Sequence, residues 1–302
     1  MIDLTTKIAS LKLRNPTILA SGIMDEDAGS MQRIYNSGAG AVVTKSIGLK
    51  PHYGYPNPTV IELEYGFLNA MGLPNPGIEL FLEELEKLKK SNIPVIGSIF
   101  GSNVIEFVEL SEKMQKYKVD ALELNMSCPH AKGYGLEIGS NPKLVKDITS
   151  KVKDSVDIPV FVKLSPNLTN IIDIAKSAEK GNADAIVAIN TLKAMKIDIE
   201  LKIPVLSNKI GGYSGKAVKP VGIRCVYEIS KNVDIPVIGV GGITNGEDAI
   251  EYFMAGASAV EIGTGIYYRG IDIFKEICKE IKKWMEKHNY NNLSEIIGVA
   301  HL

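Results

Sequence analysis

Cysteine is scarce and widely spaced in this sequence: only Cys128, Cys225 and Cys278 occur in 302 residues. An odd, dispersed set gives no disulfide framework and no cluster that could hold iron-sulfur or zinc from this chain alone; it fits a reducing compartment. Net charge is scarce too. Lys and Arg number 34 against 35 Asp and Glu, leaving a formal −1. Such balance supplies no basic field for nucleic acid or for an anionic membrane surface. Long apolar runs are missing as well: the first stretch, MIDLTTKIASLKLRNP, is interrupted by Asp3, Lys7, Lys12 and Arg14. Neither a signal-peptide core nor a membrane span is readable, so a soluble, cytoplasmic protein is expected.

What the sequence does have is rhythm. Apolar, β-branched runs recur at residues 17–21, 41–46, 94–99, 121–127, 159–165, 185–191, 236–242 and 259–265. Near-continuous hydrophobicity is what a parallel strand buried on both faces requires. Segments with helical spacing lie between most of them, at 105–118, 142–154, 171–181 and 218–231. Ile93-Pro94-Val95, Ile158-Pro159-Val160 and Ile235-Pro236-Val237 each put a proline at a strand's first position, where its missing N–H costs least. Eight strand-helix repeats predict an α/β fold of the (β/α)8 TIM-barrel type, one domain over residues 1–302. A doubly wound open sheet is the alternative, and the lack of an early G-x-G-x-x-G turn argues against it. The segment 271–288, apolar at Phe274, Ile277, Cys278, Ile281 and Met285, reads as an amphipathic helix with one solvated face. Cys225 and Cys278 read as small buried hydrophobes.

Three connections, 47–93, 128–141 and 192–234, exceed a simple βα loop. In a barrel such insertions gather at the C-terminal face, where they are expected to form small antiparallel hairpins and a lid. Polar residues collect at the same face. Strand ends carry Thr44-Lys45-Ser46, Asn125-Met126-Ser127-Cys128, Lys163-Leu164-Ser165 and Asn190-Thr191. Two lysines ending apolar strands are costly unless each meets an anion or strong acceptor. Either could sit in a structural ion pair; together with two asparagines they favour a ligand site. Gly241-Gly242 and Gly263-Thr264 suit a backbone grip on phosphate, although structural turns also use glycine there. Cys128, at a strand end and before a proline, is placed to act as a nucleophile or as a general base.

In these motifs the sequence resembles the class 1 dihydroorotate dehydrogenases, from about Leu11 to about Gly265. The resemblance rests on Leu68-Asn69-Ala70-Met71-Gly72-Leu73-Pro74-Asn75-Pro76-Gly77, Asn125-Met126-Ser127-Cys128-Pro129 and Val162-Lys163-Leu164-Ser165-Pro166. Ile189-Asn190-Thr191 and Gly239-Val240-Gly241-Gly242-Ile243 complete it. It is closest to type B, whose flavin subunit works beside an electron-transfer partner. The membrane-associated class 2 enzymes have an N-terminal extension and a serine where this sequence has Cys128.

The resemblance implies FMN in the barrel mouth. Its phosphate would meet Gly241, Gly242, Gly263 and Thr264 under Gly215. Ser21, Lys45, Ser46, Ser98, Asn125, Lys163 and Ile189 would line the rest of the cofactor. Dihydroorotate or orotate would be held by Lys45, Asn69, Ala70, Met71, Gly72, Leu73, Asn125, Asn190 and Thr191. Cys128 would be the base that removes the proton from carbon 5. Type B relatives further imply a homodimeric core within a heterotetramer, with FAD and a [2Fe-2S] cluster in the partner subunit and electrons passed to NAD. Two departures are visible: His130 stands where the family usually has asparagine, and Ser98 replaces an asparagine expected to touch FMN. Other FMN barrels acting on a dihydropyrimidine or dihydrouridine, and a non-redox phosphate-binding lyase or isomerase using the Lys163 amine, are the rival readings.

Overall fold

The structure, a computed structural model, describes residues 2–127 and 135–301. Cys128 and His130 therefore lie outside the described residues. Eight parallel strands close into a barrel: β1 (Thr17–Leu19), β2 (Ala41–Val43), β3 (Val95–Ile99), β4 (Ala121–Asn125), β5 (Val160–Leu164), β6 (Ala185–Ala188), β7 (Val237–Val240) and β8 (Ala257–Ile262). Each strand pairs with its neighbours in the chain, and β8 closes on β1 through Glu261↔Ile18. The expected TIM barrel is the observed one.

The strands differ from the sequence reading mainly at their ends. Pro94, Pro159 and Pro236 fall one residue before their strands, because proline has no N–H for the ladder. Their carbonyls still take part, accepting from Val42, Leu122 and Ile186 of the adjacent strands. The helices start where a side chain can satisfy free N–H groups. Asn103 caps α1 (Val104–Lys116), Asn141 caps α2 (Pro142–Ser155), Asn170 caps α3 (Ile171–Lys180), and Asn245 with Asp248 forms a capping box on α4 (Gly246–Met254). The amphipathic C-terminal segment is α5 (Ile273–Lys287), with Phe274, Ile277, Ile281 and Met285 fully buried. Cys225 is buried as expected and Cys278 only partly so; desolvation pushes both thiols up to about 11.

Alternation along the strands sorts the core into two shells. Leu122, Leu124, Val160, Val162 and Leu164 face outward and pack against the helices. Ile18, Val43, Ile96, Ala121, Phe161, Val187, Ile238 and Ala259 fill the barrel's interior. A hairpin of Thr6–Ile8 and Leu11–Leu13 adds Ile8, Leu11 and Leu13 to that inner shell, closing the N-terminal end. Above the apolar layers the inward positions turn polar: Ser98, Glu123, Lys163 and Glu261. Among the described residues, no helix is long and apolar enough to cross a membrane.

The insertions form the expected antiparallel pairs and add one feature to them. Val60–Leu63 pairs with Gly66–Asn69 in the first, Leu192–Met195 with Ile210–Ser214 in the third, and the two pairs join in one four-stranded antiparallel sheet. The seam is Gly212↔Asn69 and Tyr213↔Leu68. Glycine makes it possible: a Cβ on Gly66 would lie 2.0 Å from the Ser214 carbonyl oxygen, and one on Gly211 2.7 Å from that of Asn69. A smaller pair, Ile197–Asp198 with Ile203–Pro204, extends the third insertion.

Candidate active site

The C-terminal ends of the strands and the antiparallel sheet enclose a cavity of about 480 Å³, within the range of sites that bury a ligand. Its floor is ionic. Lys163 Nζ lies 2.8 Å from Glu261 Oε2 and 3.3 Å from Glu123 Oε2, with all three side chains at most 6% exposed. Burial alone would lower the lysine's pKa; the two carboxylates overrule it and hold the ammonium above its ordinary value. Burial pushes Glu261 up to about 8, and Glu123 beside it adds to the rise while Lys163 opposes it. Two carboxylates facing one ammonium in a dry interior cannot all stay charged cheaply.

From this floor a chain of hydrogen bonds climbs one wall. Ser98 Oγ donates to Glu123 Oε1 (3.1 Å) and lies 2.8 Å from Ser46 Oγ. Asn125 Nδ2 donates to Ser46 Oγ (2.9 Å), Ser127 Oγ to Asn125 Oδ1 (2.9 Å), and Asn190 Nδ2 to Ser127 Oγ (2.8 Å). Every assigned donor points down the chain toward Glu123. The Ser127 N–H also reaches Asn125 Oδ1, at 3.2 Å, fixing the backbone just before Cys128. Next to Ser46, Lys45 Nζ meets the exposed Glu26 at 3.1 Å. Asp25 lies buried nearby; burial, with Lys45 opposing, pushes it up to about 6, and its Oδ1 has no partner among the described residues.

The rim between β7 and β8 is bare backbone. Gly241 and Gly242 have φ of +127° and +71°. The N–H groups of Gly242, Gly263 and Thr264 find no acceptor among the described residues. Gly215, also at positive φ, closes over Gly242: a Cβ on Gly242 would stand 2.9 Å from the Gly215 carbonyl oxygen. The roof is aromatic, with Phe67 set edge-on to Tyr267 at a centroid distance of 4.6 Å.

Of the residues singled out from the sequence, Ser21, Lys45, Ser46, Asn69, Met71, Gly72, Leu73, Asn125, Lys163, Ile189, Asn190, Thr191, Gly215, Gly241, Gly242, Gly263 and Thr264 line this one cavity. Two do not. Ala70 is buried with Leu68 and Leu206 inside the antiparallel sheet, because strand alternation turns it away from its neighbours Asn69 and Met71. Ser98 sits beneath the wall, behind Ser46, and touches Glu123 instead of the cavity. Sequence reasoning passes over Glu261 and the role of Glu123. The available signal is a lone carboxylate inside each of two otherwise apolar strands. Phe67 and Tyr213 also line the cavity, and nothing in their local sequence marks them.

The fold and cavity define a (β/α)8-barrel enzyme with its site at the strands' C-terminal ends. The sequence profile of the dihydroorotate dehydrogenase family matches residues 3–285. The catalytic subunit of dihydroorotate dehydrogenase B (NAD(+)) from Methanocaldococcus jannaschii is 55% identical, over 99% of this chain and 98% of its own. Its counterpart from Thermoplasma acidophilum is 53% identical over 99% of both. In fold, the chain is similar to the dihydroorotate dehydrogenase of Eimeria tenella crystallised with ferulenol, with a TM-score of 0.85, 24% identity, and coverage of 99% of this chain and 89% of that one. The chain belongs to the dihydroorotate dehydrogenase family, whose members are flavin-dependent oxidoreductases.

Proposed function

We propose that this chain is the FMN-binding catalytic subunit of a cytoplasmic, type B dihydroorotate dehydrogenase, a single domain over residues 1–302 that oxidises dihydroorotate to orotate for pyrimidine synthesis. The observation that carries the reading is the cavity itself: a buried ammonium at one end, a glycine rim whose N–H groups find no acceptor among the described residues at the other, and an amide-rich wall between. These features suit a flavin mononucleotide. Gly241, Gly242, Gly263 and Thr264 would hold its phosphate beneath Gly215. Lys163 would face the electron-rich end of the ring, and Ser21, Lys45, Ser46, Asn125 and Ile189 would pack along it.

The flavin supplies a two-electron acceptor for the hydride leaving carbon 6 of the substrate. The chain's own residues do the rest. Asn69, Asn125, Asn190 and Thr191 match a planar diamide with paired donors and acceptors, and Lys45 answers its carboxylate. Asn125 and Asn190 are already oriented by Ser46 and Ser127, so little freedom is lost when substrate enters. Cys128, as thiolate, takes the proton from carbon 5. Met71, Gly72 and Leu73 cover the substrate from the first insertion. The names of the relatives, which specify a catalytic subunit and NAD(+), support a partner subunit. We infer that the partner carries FAD and a [2Fe-2S] cluster and joins a homodimer of this chain in a heterotetramer that reduces NAD.

The deciding test is optical. The purified protein should be yellow with FMN, and dihydroorotate should bleach it without oxygen. Bleaching by a dihydrouridine or dihydropyrimidine but not by dihydroorotate, or a colourless protein that refuses FMN, would reject the reading. Gly242→Ala tests the phosphate rim. The new Cβ would lie 2.8 Å from the Lys219 backbone nitrogen, at a φ of +71°. Strain of roughly 1–3 kcal/mol should weaken FMN binding by about tenfold or more, read by cofactor retention on gel filtration. Unchanged retention would remove the rim from its assigned role.

A further inference from the structure

We propose that Glu261 is the protonated partner of Glu123 beneath the cavity: a positioning residue whose proton keeps the Lys163 floor neutral and stays bound when negative charge builds on the ligand above. The geometry is a triad of one ammonium and two carboxylates inside the barrel, on β4, β5 and β8. Glu123 is 0% and Glu261 1% exposed. Fully ionised, the triad would carry a surplus negative charge with no water to screen it. One proton taken from solvent removes that surplus, and no other bond changes.

The hydrogen bonds say which carboxyl holds it. Glu123 accepts from Lys163 and from Ser98, at the foot of a wall whose assigned donors all point toward it. With both of its oxygens already accepting, Glu123 is the poorer place for a proton and Glu261 the better one. Among the described residues, Glu261 accepts only from Lys163, at 2.8 Å, and shares that ammonium with Glu123. Among the described residues, the charged groups facing Glu261 are Lys163 from β5 and Glu123 from β4; its strand neighbours on β1 and β7, Ile18 and Val240, are apolar. Burial first, and Glu123 second, hold the Glu261 pKa above the ordinary 4.5. The folded protein therefore binds a proton that the unfolded chain releases. This contribution to stability is full at acid pH and is lost as pH rises from the ordinary glutamate range through about 8.

Both Glu261 and Lys163 line the cavity, so the proton sits where a ligand's charge is felt. This last step rests on the flavin reading: a cofactor that becomes more negative on reduction raises the affinity of Glu261 for its proton. Between the two affinities, reduction should then draw an additional proton from solvent.

Two measurements separate this idea from the function proposed above. Infrared titration of the full-length protein as purified should show a protonated carboxyl band at neutral pH that disappears at alkaline pH. Glu261→Gln should abolish the band, and Glu123→Gln, by leaving a balanced pair, should move its loss to lower pH. In FMN-loaded protein, the midpoint potential of the wild type should fall more steeply with pH than that of Glu261→Gln on the alkaline side of neutral. A band untouched by Glu261→Gln, a wild type with no such band, or equal slopes in the two proteins would overturn the proposal. Should Glu261→Gln fail to fold, the wild-type titration and Glu123→Gln still decide it. A protein that dihydroorotate does not bleach would defeat the assigned reaction and leave the infrared result standing.

Discussion

Lys163→Met should cost about 3–5 kcal/mol of stability, the usual penalty for removing one partner of a buried ion pair, measured by denaturant unfolding at neutral pH. The lysine is the only cation within reach of Glu123 and Glu261 among the described residues, and both carboxylates are essentially inaccessible to water. Methionine matches much of the side chain's volume, so little of the loss comes from a void. The loss should grow with pH. Without the ammonium nothing opposes the burial that raises Glu261; the folded state holds its proton more firmly than the unfolded chain, and folding weakens as pH rises. Lys163→Met/Glu123→Gln/Glu261→Gln, which removes the charges together, should recover a large part of the deficit. A single substitution costing less than about 1 kcal/mol, the range of exposed pairs, would contradict a dry triad.

Cys128→Ala should leave FMN bound and slow anaerobic bleaching by dihydroorotate about 10²–10⁴-fold, the range supplied by a positioned general base. The rationale for Cys128 comes from the sequence, since the residue lies outside the described part of the chain. The residue before it is well defined: Ser127 is fully buried and bonded through both its N–H and hydroxyl to Asn125. Asn125 in turn reaches Ser46 on the cavity wall. An ordinary thiol, with a pKa of about 8.5, is mostly protonated at neutral pH, so the bleaching rate of the wild type should climb on the alkaline side while that of Cys128→Ala stays flat. Near-normal bleaching in the variant would take the thiol out of the reaction. Stopped-flow absorbance at the flavin band makes both comparisons.

Much of this molecule is legible in the order of its residues. The eight apolar runs and the helices between them appear within a few residues of their places, because burial on both faces and helical amphipathicity leave periodic marks in one dimension. Strand-end positions follow once a barrel is accepted. Of the seventeen proposed binding residues that line the cavity, most follow barrel strands, whose C-terminal ends must meet there, while Asn69, Met71, Gly72, Leu73 and Gly215 reach it from the insertions. The exceptions are instructive. Ala70 belongs to a conspicuous motif, yet alternation in an antiparallel strand turns it inward. Ser98 reads in sequence as a replacement for a cofactor contact, whereas its position beneath Ser46 depends on how β3 sits beside β2 and β4.

Sequence alone determined the barrel, the balanced charge, the glycine rim and the cysteine that follows Ser127, since each depends on residue type and local order. Only the tertiary structure decided that strands from two distant insertions share one sheet, and that Glu123, Lys163 and Glu261 converge on one point. Strand pairing brings together residues that chain distance separates. The energy of a buried charge depends on its neighbours in space, which no reading along the chain can supply.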